Sequence, residues 1–175
     1  MIPQIKTILY TTTLSSHTLP VFRFTVGLAK QYGAKIVLLH VVEPLNNTTR
    51  FLIESCLPPD LVNHLNHEAT RSILEKIHKR LEKFCADELG STLEEQTAII
   101  AEIRAVSGSS AAETILQEAE RCNADLIVVG THTGSVLQTH LLGSTARRVT
   151  LLAKRPVLVV PVTDNPDNEW PESLI

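Results

Sequence analysis

The sequence predicts an α/β protein in which a parallel sheet carries helices on both faces. Short apolar segments alternate with longer amphipathic segments along the 175 residues, and this alternation is typical of βαβ units. Residues 35–42 form a nearly continuous apolar run, as expected for a strand buried on both faces of a parallel sheet. Hydrophobic residues make up 43% and charged residues 20% of the chain, which is the balance of a globular domain.

Each element follows from local signals. In the first half we expect a strand at residues 5–12, a helix at 16–32 ended by Gly33, a strand at 35–42, an irregular stretch at 45–60 and a long helix at 61–89. In the second half we expect a strand from about residue 96 to residue 106, a helix at 110–122, a strand at 125–129 ending at Gly130, a helix at 143–153 and a last strand from Pro156 to Val162. These elements form one domain, residues 1–162, followed by an acidic tail, residues 163–175.

Composition and charge exclude several classes of protein. The net charge of −3 gives no basic excess, so we expect no nucleic-acid binding. No run approaches the roughly 18 apolar residues of a membrane span, so we expect no membrane partner. The three cysteines form no CxxC pair, which indicates neither a zinc site nor a disulfide framework. With no recognisable signal peptide at the N-terminus, the predicted location is the cytoplasm.

Two loops lie where parallel α/β sheets bind ligands, beyond the carboxyl ends of the first and fourth strands. The first loop spans residues 11–16 and the second spans residues 130–145. Gly143, Ser144 and Thr145 open a helix, whose free N–H groups and positive dipole end favour a phosphate. The same residues also fit a turn with an ordinary helix cap, so spacing alone leaves both interpretations open. There is no Walker motif, because no lysine follows Gly143.

Five segments, in order along the chain, resemble the universal stress protein family: residues 8–15, 39–44, 124–132, 141–146 and 155–160. The resemblance covers about residues 5–162. It implies a Rossmann-like, five-stranded parallel sheet of order 3-2-1-4-5. It also implies a homodimer that pairs through the last strand, from Pro156 to Val162, and an edge strand this apolar independently favours a pairing partner.

Members of that family that bind nucleotides hold ATP or AMP between the first and fourth strands. The resemblance places Val41 and Val129 at the wall of the adenine pocket and Thr11 and Thr13 near adenine and ribose. It implies that the remaining site residues line the phosphates, with or without Mg²⁺: Gly130, Thr133, Gly143, Ser144 and Thr145. Arg147 follows one turn later, where a surface ion pair is favoured over a phosphate contact.

Two positions depart from the pattern of nucleotide-binding members. Thr133 stands where their loop has its second glycine, and its Cβ crowds a phosphate there while its hydroxyl offers a donor. Thr13 stands where they carry an acid that contacts the nucleoside, and a hydroxyl makes a weaker contact than a carboxylate. Losing that contact costs roughly tenfold in affinity. Removing a negative group also lessens the repulsion of an anionic ligand, so the direction of the net effect stays open.

The other candidate residues indicate structure rather than chemistry. His40 is interpreted as a buried structural histidine, and His64 and His67 as part of a solvated helix rather than a metal site. His132 and His140 lie in the glycine loop without a carboxylate partner in the sequence, so no catalytic or metal-binding residue is assigned.

Three hypotheses result. The first is a cytoplasmic, dimeric stress protein with ATP or AMP as regulatory ligand. The second is a stress protein that binds no nucleotide and acts through protein partners. The third, least favoured, is an enzyme that hydrolyses or transfers the nucleotide phosphate.

Overall fold

The structure is a computed structural model that describes residues 2–14, 18–43, 59–90, 92–131 and 142–161, with the backbone alone at 59–67 and 95. In chain order the elements are β1 (Thr7–Thr11), α1 (Thr18–Tyr32), β2 (Lys35–Val42), α2 (Pro59–Leu89), α3 (Leu93–Ile99), β3 (Ile100–Ser107), α4 (Ala111–Arg121), β4 (Leu126–Gly130), α5 (Ser144–Leu152) and β5 (Val157–Val160). The predicted acidic tail lies outside the described residues.

The five strands form one parallel sheet of order β3-β2-β1-β4-β5, which confirms the predicted fold class and strand order. The register aligns Thr11 of β1 with Leu39 of β2, and Tyr10 of β1 with Val128 of β4. The carboxyl ends of β1, β2 and β4 therefore meet at one edge of the sheet. The chain adds β2 and β3 on one side of β1 and then β4 and β5 on the other side. Parallel sheets have their ligand crevice at this reversal of the strand order.

Alternate residues of each strand face two separate hydrophobic layers. Ile8 and Tyr10 of β1 pack with α1 and α2, where Phe22 and Leu81 are fully buried. Leu9 of β1 faces the opposite layer, formed with α4 and α5. Because both faces are covered there, the buried residues in the middle of β2, β1 and β4 are aliphatic or aromatic. Each such side chain contributes about 1.5–3 kcal/mol when it is fully buried.

Several predicted boundaries differ from the structure by one or two residues, and the last strand covers Val157–Val160 rather than residues 156–162. The largest error is at the third strand. We expected the third strand to begin at about residue 96, but Leu93–Ile99 is a helix and β3 begins at Ile100. The helix is stabilised by side chains at both of its ends. Gln96 Nε2 donates to the Gly90 carbonyl over 3.0 Å, and Lys35 Nζ donates to the last carbonyls of the helix, those of Thr97 and Ala98, over 2.8 and 2.7 Å. A cation at a helix C-terminus offsets the helix dipole.

An ion-pair cluster between β3 and α4 fixes the position of α4. Arg104 Nη1 donates to Glu102 over 2.8 Å, and Arg121 Nε donates to Glu118 over 2.8 Å. Arg121 Nη2 also donates to Glu102 over 2.9 Å. The hydrogen bond from Arg104 is the main cause of a lowered pKa for Glu102. Networks of this kind hold geometry better than isolated surface pairs do.

Candidate functional site

A cavity of about 300 Å³ opens at the edge where the carboxyl ends of β1, β2 and β4 meet. The N-termini of α1, α4 and α5 border the same space. The residues that line it are Tyr10, Thr11, Thr12, Thr13, Thr18, Val21, Leu39, His40, Val41, Glu43, Ala111, Ile115, Val129, Gly130, Thr131, Thr145 and Ala146. Its volume is at the lower end of the range for small-molecule sites.

The turn after β1 is built around Thr12. The N–H of Thr12 donates to the Leu39 carbonyl over 2.9 Å, and its buried hydroxyl accepts from the N–H of Leu14 over 3.1 Å. Leu14 has a φ of 56°, a left-handed conformation that is strained for a leucine. The Thr12 hydroxyl also lies 3.1 Å from that of Thr18, which connects the turn to the start of α1. The turn is therefore held rigidly, with Thr11 and Thr13 presented to the cavity.

Tyr10, a core residue, supports the turn after β1 from the interior of the protein. Its phenol donates to the Thr18 carbonyl over 2.9 Å, and its ring packs against Phe22. Burial raises the pKa of the phenol, so the group stays protonated and acts as a donor.

The end of β2 contributes two titratable side chains. His40 is half-buried, and its Nδ1 lies 2.8 Å from the Thr12 carbonyl, which fixes Nδ1 as the protonated nitrogen because a carbonyl only accepts. Burial lowers the pKa of His40, and the positive charge of Arg80 on α2 acts in the same direction. Glu43 is exposed, and its Oε1 accepts from the N–H of Ala111, the first residue of α4, over 2.7 Å.

The start of α5 differs from the start of α4. In α4 the Ser110 hydroxyl accepts from the N–H of Glu113 over 3.5 Å, and Glu43 satisfies a second N–H. In α5 the N-cap is Gly143, which makes no side-chain cap. The first turn of α5 therefore presents its N–H groups with no acceptor from its own cap residue.

Gly143 is not required by the backbone conformation. Its φ is −51°, which any residue adopts, and a Cβ added there would meet no described atom within 4 Å. Within the described residues, neither the backbone conformation nor crowding therefore explains why residue 143 is a glycine.

The structure brings most of the expected site residues together. Six of them line the cavity: Thr11, Thr13, Val41, Val129, Gly130 and Thr145. Gly143 and Ser144 lie at the start of α5 beside it but are not part of its wall, and Thr133 lies outside the described residues. The role of all nine in binding stays a prediction.

Sequence reasoning missed several cavity residues, above all His40 and Glu43. His40 was expected to be buried and structural; it is half-buried, contacts the Thr12 carbonyl and also faces the cavity. A usable signal existed, because both residues lie at the carboxyl end of the second strand, next to Val41. Arg147 is exposed and is absent from the wall of the cavity.

Other chemistry is sparse in the part of the chain that the structure describes. That part contains no group of three or more His, Cys, Asp or Glu side chains placed to hold a metal ion. The side chains of His64 and His67 lie outside it. Cys85 is buried in the core, where burial raises the pKa of its thiol to about 12. None of the described helices has the length and hydropathy needed to cross a bilayer.

The sequence of this chain is similar to those of known proteins. Residues 4–161 match the profile of the Universal stress protein family. Universal stress protein MJ0531 of Methanocaldococcus jannaschii is 31% identical over 159 residues, which cover 89% of this chain and 81% of that protein.

Solved structures share the fold. Protein MJ0577, whose biochemical function was assigned from its structure, superposes with a TM-score of 0.66 at 24% identity, covering 93% of this chain and 100% of that one. A universal stress protein solved in complex with cAMP superposes with a TM-score of 0.53 at 21% identity, covering 92% of this chain and 100% of that one.

The sheet order and the cavity define a doubly wound parallel α/β protein with a small-molecule crevice at its switch point. Within that class, the match over residues 4–161 identifies the family. The chain belongs to the universal stress protein family.

Proposed function

We propose that this protein binds an adenine nucleotide, ATP or AMP, as a regulatory ligand and works as a cytoplasmic homodimer. The observation that carries the proposal is the cavity at the switch point, where Thr145 belongs to the first turn of a helix whose cap residue has no side chain. Such a helix start is a ready site for a phosphate.

The wall of the cavity suits the two halves of a nucleotide. Leu39, Val41, Ile115 and Val129 supply apolar surface for a planar base. Thr131, at the end of β4, and Thr145, in the first turn of α5, supply hydroxyls on the side where the phosphate is proposed to lie. Apolar walls with a few placed polar groups are typical of small-molecule sites.

Relatives support the choice of ligand. The universal stress protein that was solved with cAMP has the same fold, so this fold accommodates an adenine nucleotide. Whether this chain prefers ATP or AMP, and whether Mg²⁺ accompanies either, belongs to the proposal and is decided by titration.

The homodimer is proposed to form through β5. That strand is at the edge of the sheet, and its residues Val157, Leu158 and Val159 are only half-buried. An apolar edge strand invites pairing with a second copy.

One observation favours the alternative, in which the protein binds no nucleotide and acts through protein partners. No lysine or arginine lines the described part of the cavity, and the charged side chain there is that of Glu43. A polyphosphate would receive no cationic partner from these residues.

Calorimetric titration with ATP and AMP, with and without Mg²⁺, separates the two candidates. We expect micromolar binding of at least one nucleotide, weakened about tenfold in Gly143→Ala, because the new Cβ occupies space that the phosphate needs. Gly27→Ala is the matched control: it adds the same methyl group in α1, where a Cβ also meets no described atom within 4 Å.

Unchanged affinity in Gly27→Ala together with the loss in Gly143→Ala supports the proposed site. Absence of binding of both nucleotides to the wild type at millimolar concentration contradicts the proposal and leaves the protein-partner alternative.

A further inference from the structure

Among the described residues that line the cavity, one carries a carboxylate and so gives this wall an uneven charge. Glu43 lines the wall at the end of β2, and the other described lining residues carry hydroxyl, imidazole or apolar side chains. The side chain is exposed, so it is accessible to a ligand. The polar character of this end of the cavity is therefore set mainly by an acceptor.

The carboxylate is held in place by α4. Glu43 Oε1 accepts from the N–H of Ala111 over 2.7 Å, at the positive end of the helix dipole. An ionised carboxyl group has about four acceptor positions on its two oxygens, and this contact uses one of them. Within the described residues, this is the one hydrogen bond found for Glu43.

These contacts determine which chemical group of a ligand suits the space next to Glu43. A carboxylate accepts hydrogen bonds and repels phosphate, so the group next to Glu43 must be a hydroxyl or an amine. The start of α5 has the opposite preference, because its N-cap is a glycine and its first turn presents donors. A ligand with a phosphate at one end and hydroxyls at the other therefore has one favoured orientation.

We propose that Glu43 is a ligand-recognition residue that accepts a hydrogen bond from a ribose hydroxyl of a nucleotide whose phosphate lies at the start of α5. This inference rests on the proposed nucleotide site and adds the residue that selects a ribonucleoside. Thr13 lines the same cavity but provides only a neutral hydroxyl. A charge-assisted hydrogen bond is roughly twice as strong as a neutral one.

The test combines one substitution with one change of ligand. AMP and 2′,3′-dideoxy-AMP are titrated into the wild type and into Glu43→Gln, which keeps an amide oxygen for the N–H of Ala111 while removing the charge. We expect wild-type protein to prefer AMP by about tenfold, and Glu43→Gln to lose most of that preference with little change in its affinity for dideoxy-AMP.

The matched control is Glu113→Gln. Glu113 lies in the first turn of the same helix and pairs with Arg148, but it does not line the cavity. This variant changes the net charge by the same amount and is expected to keep the preference for AMP. The melting temperature of each variant is measured alongside, to show that the start of α4 remains folded.

The outcomes separate this inference from the proposed function. If wild-type protein binds AMP and dideoxy-AMP equally, or if Glu43→Gln weakens both to the same extent, Glu43 only caps α4 and the inference is wrong while the nucleotide site stands. If wild-type protein binds neither, both the inference and the proposed function are wrong. Should Glu43→Gln fail to fold, Glu43→Ala is titrated in its place, and equal affinity of wild-type protein for the two ligands still overturns the inference.

Discussion

Individual side chains at the end of β2 carry more of the site than their sequence context indicates. The sequence shows a hydroxyl at Thr13 where nucleotide-binding relatives of the family are expected to have an acid. The structure places a carboxylate, that of Glu43, on the wall of the same cavity from a different strand. Spacing along the chain does not reveal this, because the two residues come together only through the pairing of β1 with β2.

His40 gives a prediction about pH. The pKa of His40 in the folded state is lowered from the ordinary value of 6.5, mainly by burial. At pH values between the lowered pKa and 6.5, the unfolded chain therefore binds more protons than the folded one. The contribution of His40 to the free energy of unfolding is therefore retained at pH 7.5 and lost as the pH falls through 6.5.

We expect the urea midpoint of wild-type protein to fall between pH 7.5 and pH 5.5 by more than that of His40→Gln. Glutamine donates to the Thr12 carbonyl and does not titrate. Urea unfolding of both proteins at the two pH values provides the measurement. An equal fall in both proteins contradicts the assignment of this pH dependence to His40.

Among the elements, most helices and strands were predictable, but helix α3 and the start of the third strand were not. Residues 93–99 contain β-compatible Thr97 and Ile99 next to a true strand, so local pattern extends the strand backwards. In the structure these residues form a helix whose C-terminal carbonyls accept hydrogen bonds from Lys35, a residue of β2 that is distant along the sequence. Tertiary contacts of this kind are not visible in a local pattern.

The edge strand β5 gives a second prediction. The carbonyls of Pro156 and Val160 accept hydrogen bonds from the N–H groups of Ile127 and Thr131, so they point toward β4. Successive residues of a strand point their backbone polar groups to opposite sides. The N–H and C=O of Val159 therefore face the open edge of the sheet. Proline at an outward-facing position of an edge strand leaves the inner ladder intact. Val159→Pro is therefore expected to remove the pairing of two copies without unfolding the sheet.

Sedimentation velocity checks this directly. We expect a dimer for the wild type and for Val159→Thr, which keeps the N–H and the β-branched shape, and a monomer with native circular dichroism for Val159→Pro. A folded Val159→Pro protein that remains dimeric would show that the copies pair through another surface.

At the scale of the whole molecule, the sheet order explains why the site is where it is. Because β1 lies between β2 and β4, the starts of α4 and α5 come to one edge of the sheet. Glu43 and Ser110 accept hydrogen bonds from N–H groups at the start of α4, whereas the start of α5 is capped only by a glycine. The fold class and the sheet edge that carries the crevice were predictable from periodicity and from the rules for parallel α/β sheets. The strand order was predictable from the resemblance to the family. The charge distribution inside the crevice was not, because it depends on side-chain contacts between distant segments.

A methyl NMR titration of the valine-labelled protein with AMP tests directly whether the cavity at the switch point binds a nucleotide. We expect saturable shifts of the methyl signals of Val41 and Val129, which line the cavity, and little change at Val26 in the layer between α1 and the sheet. Shifts confined to signals away from Val41 and Val129, or no shift at millimolar AMP, would contradict a nucleotide site at the switch point.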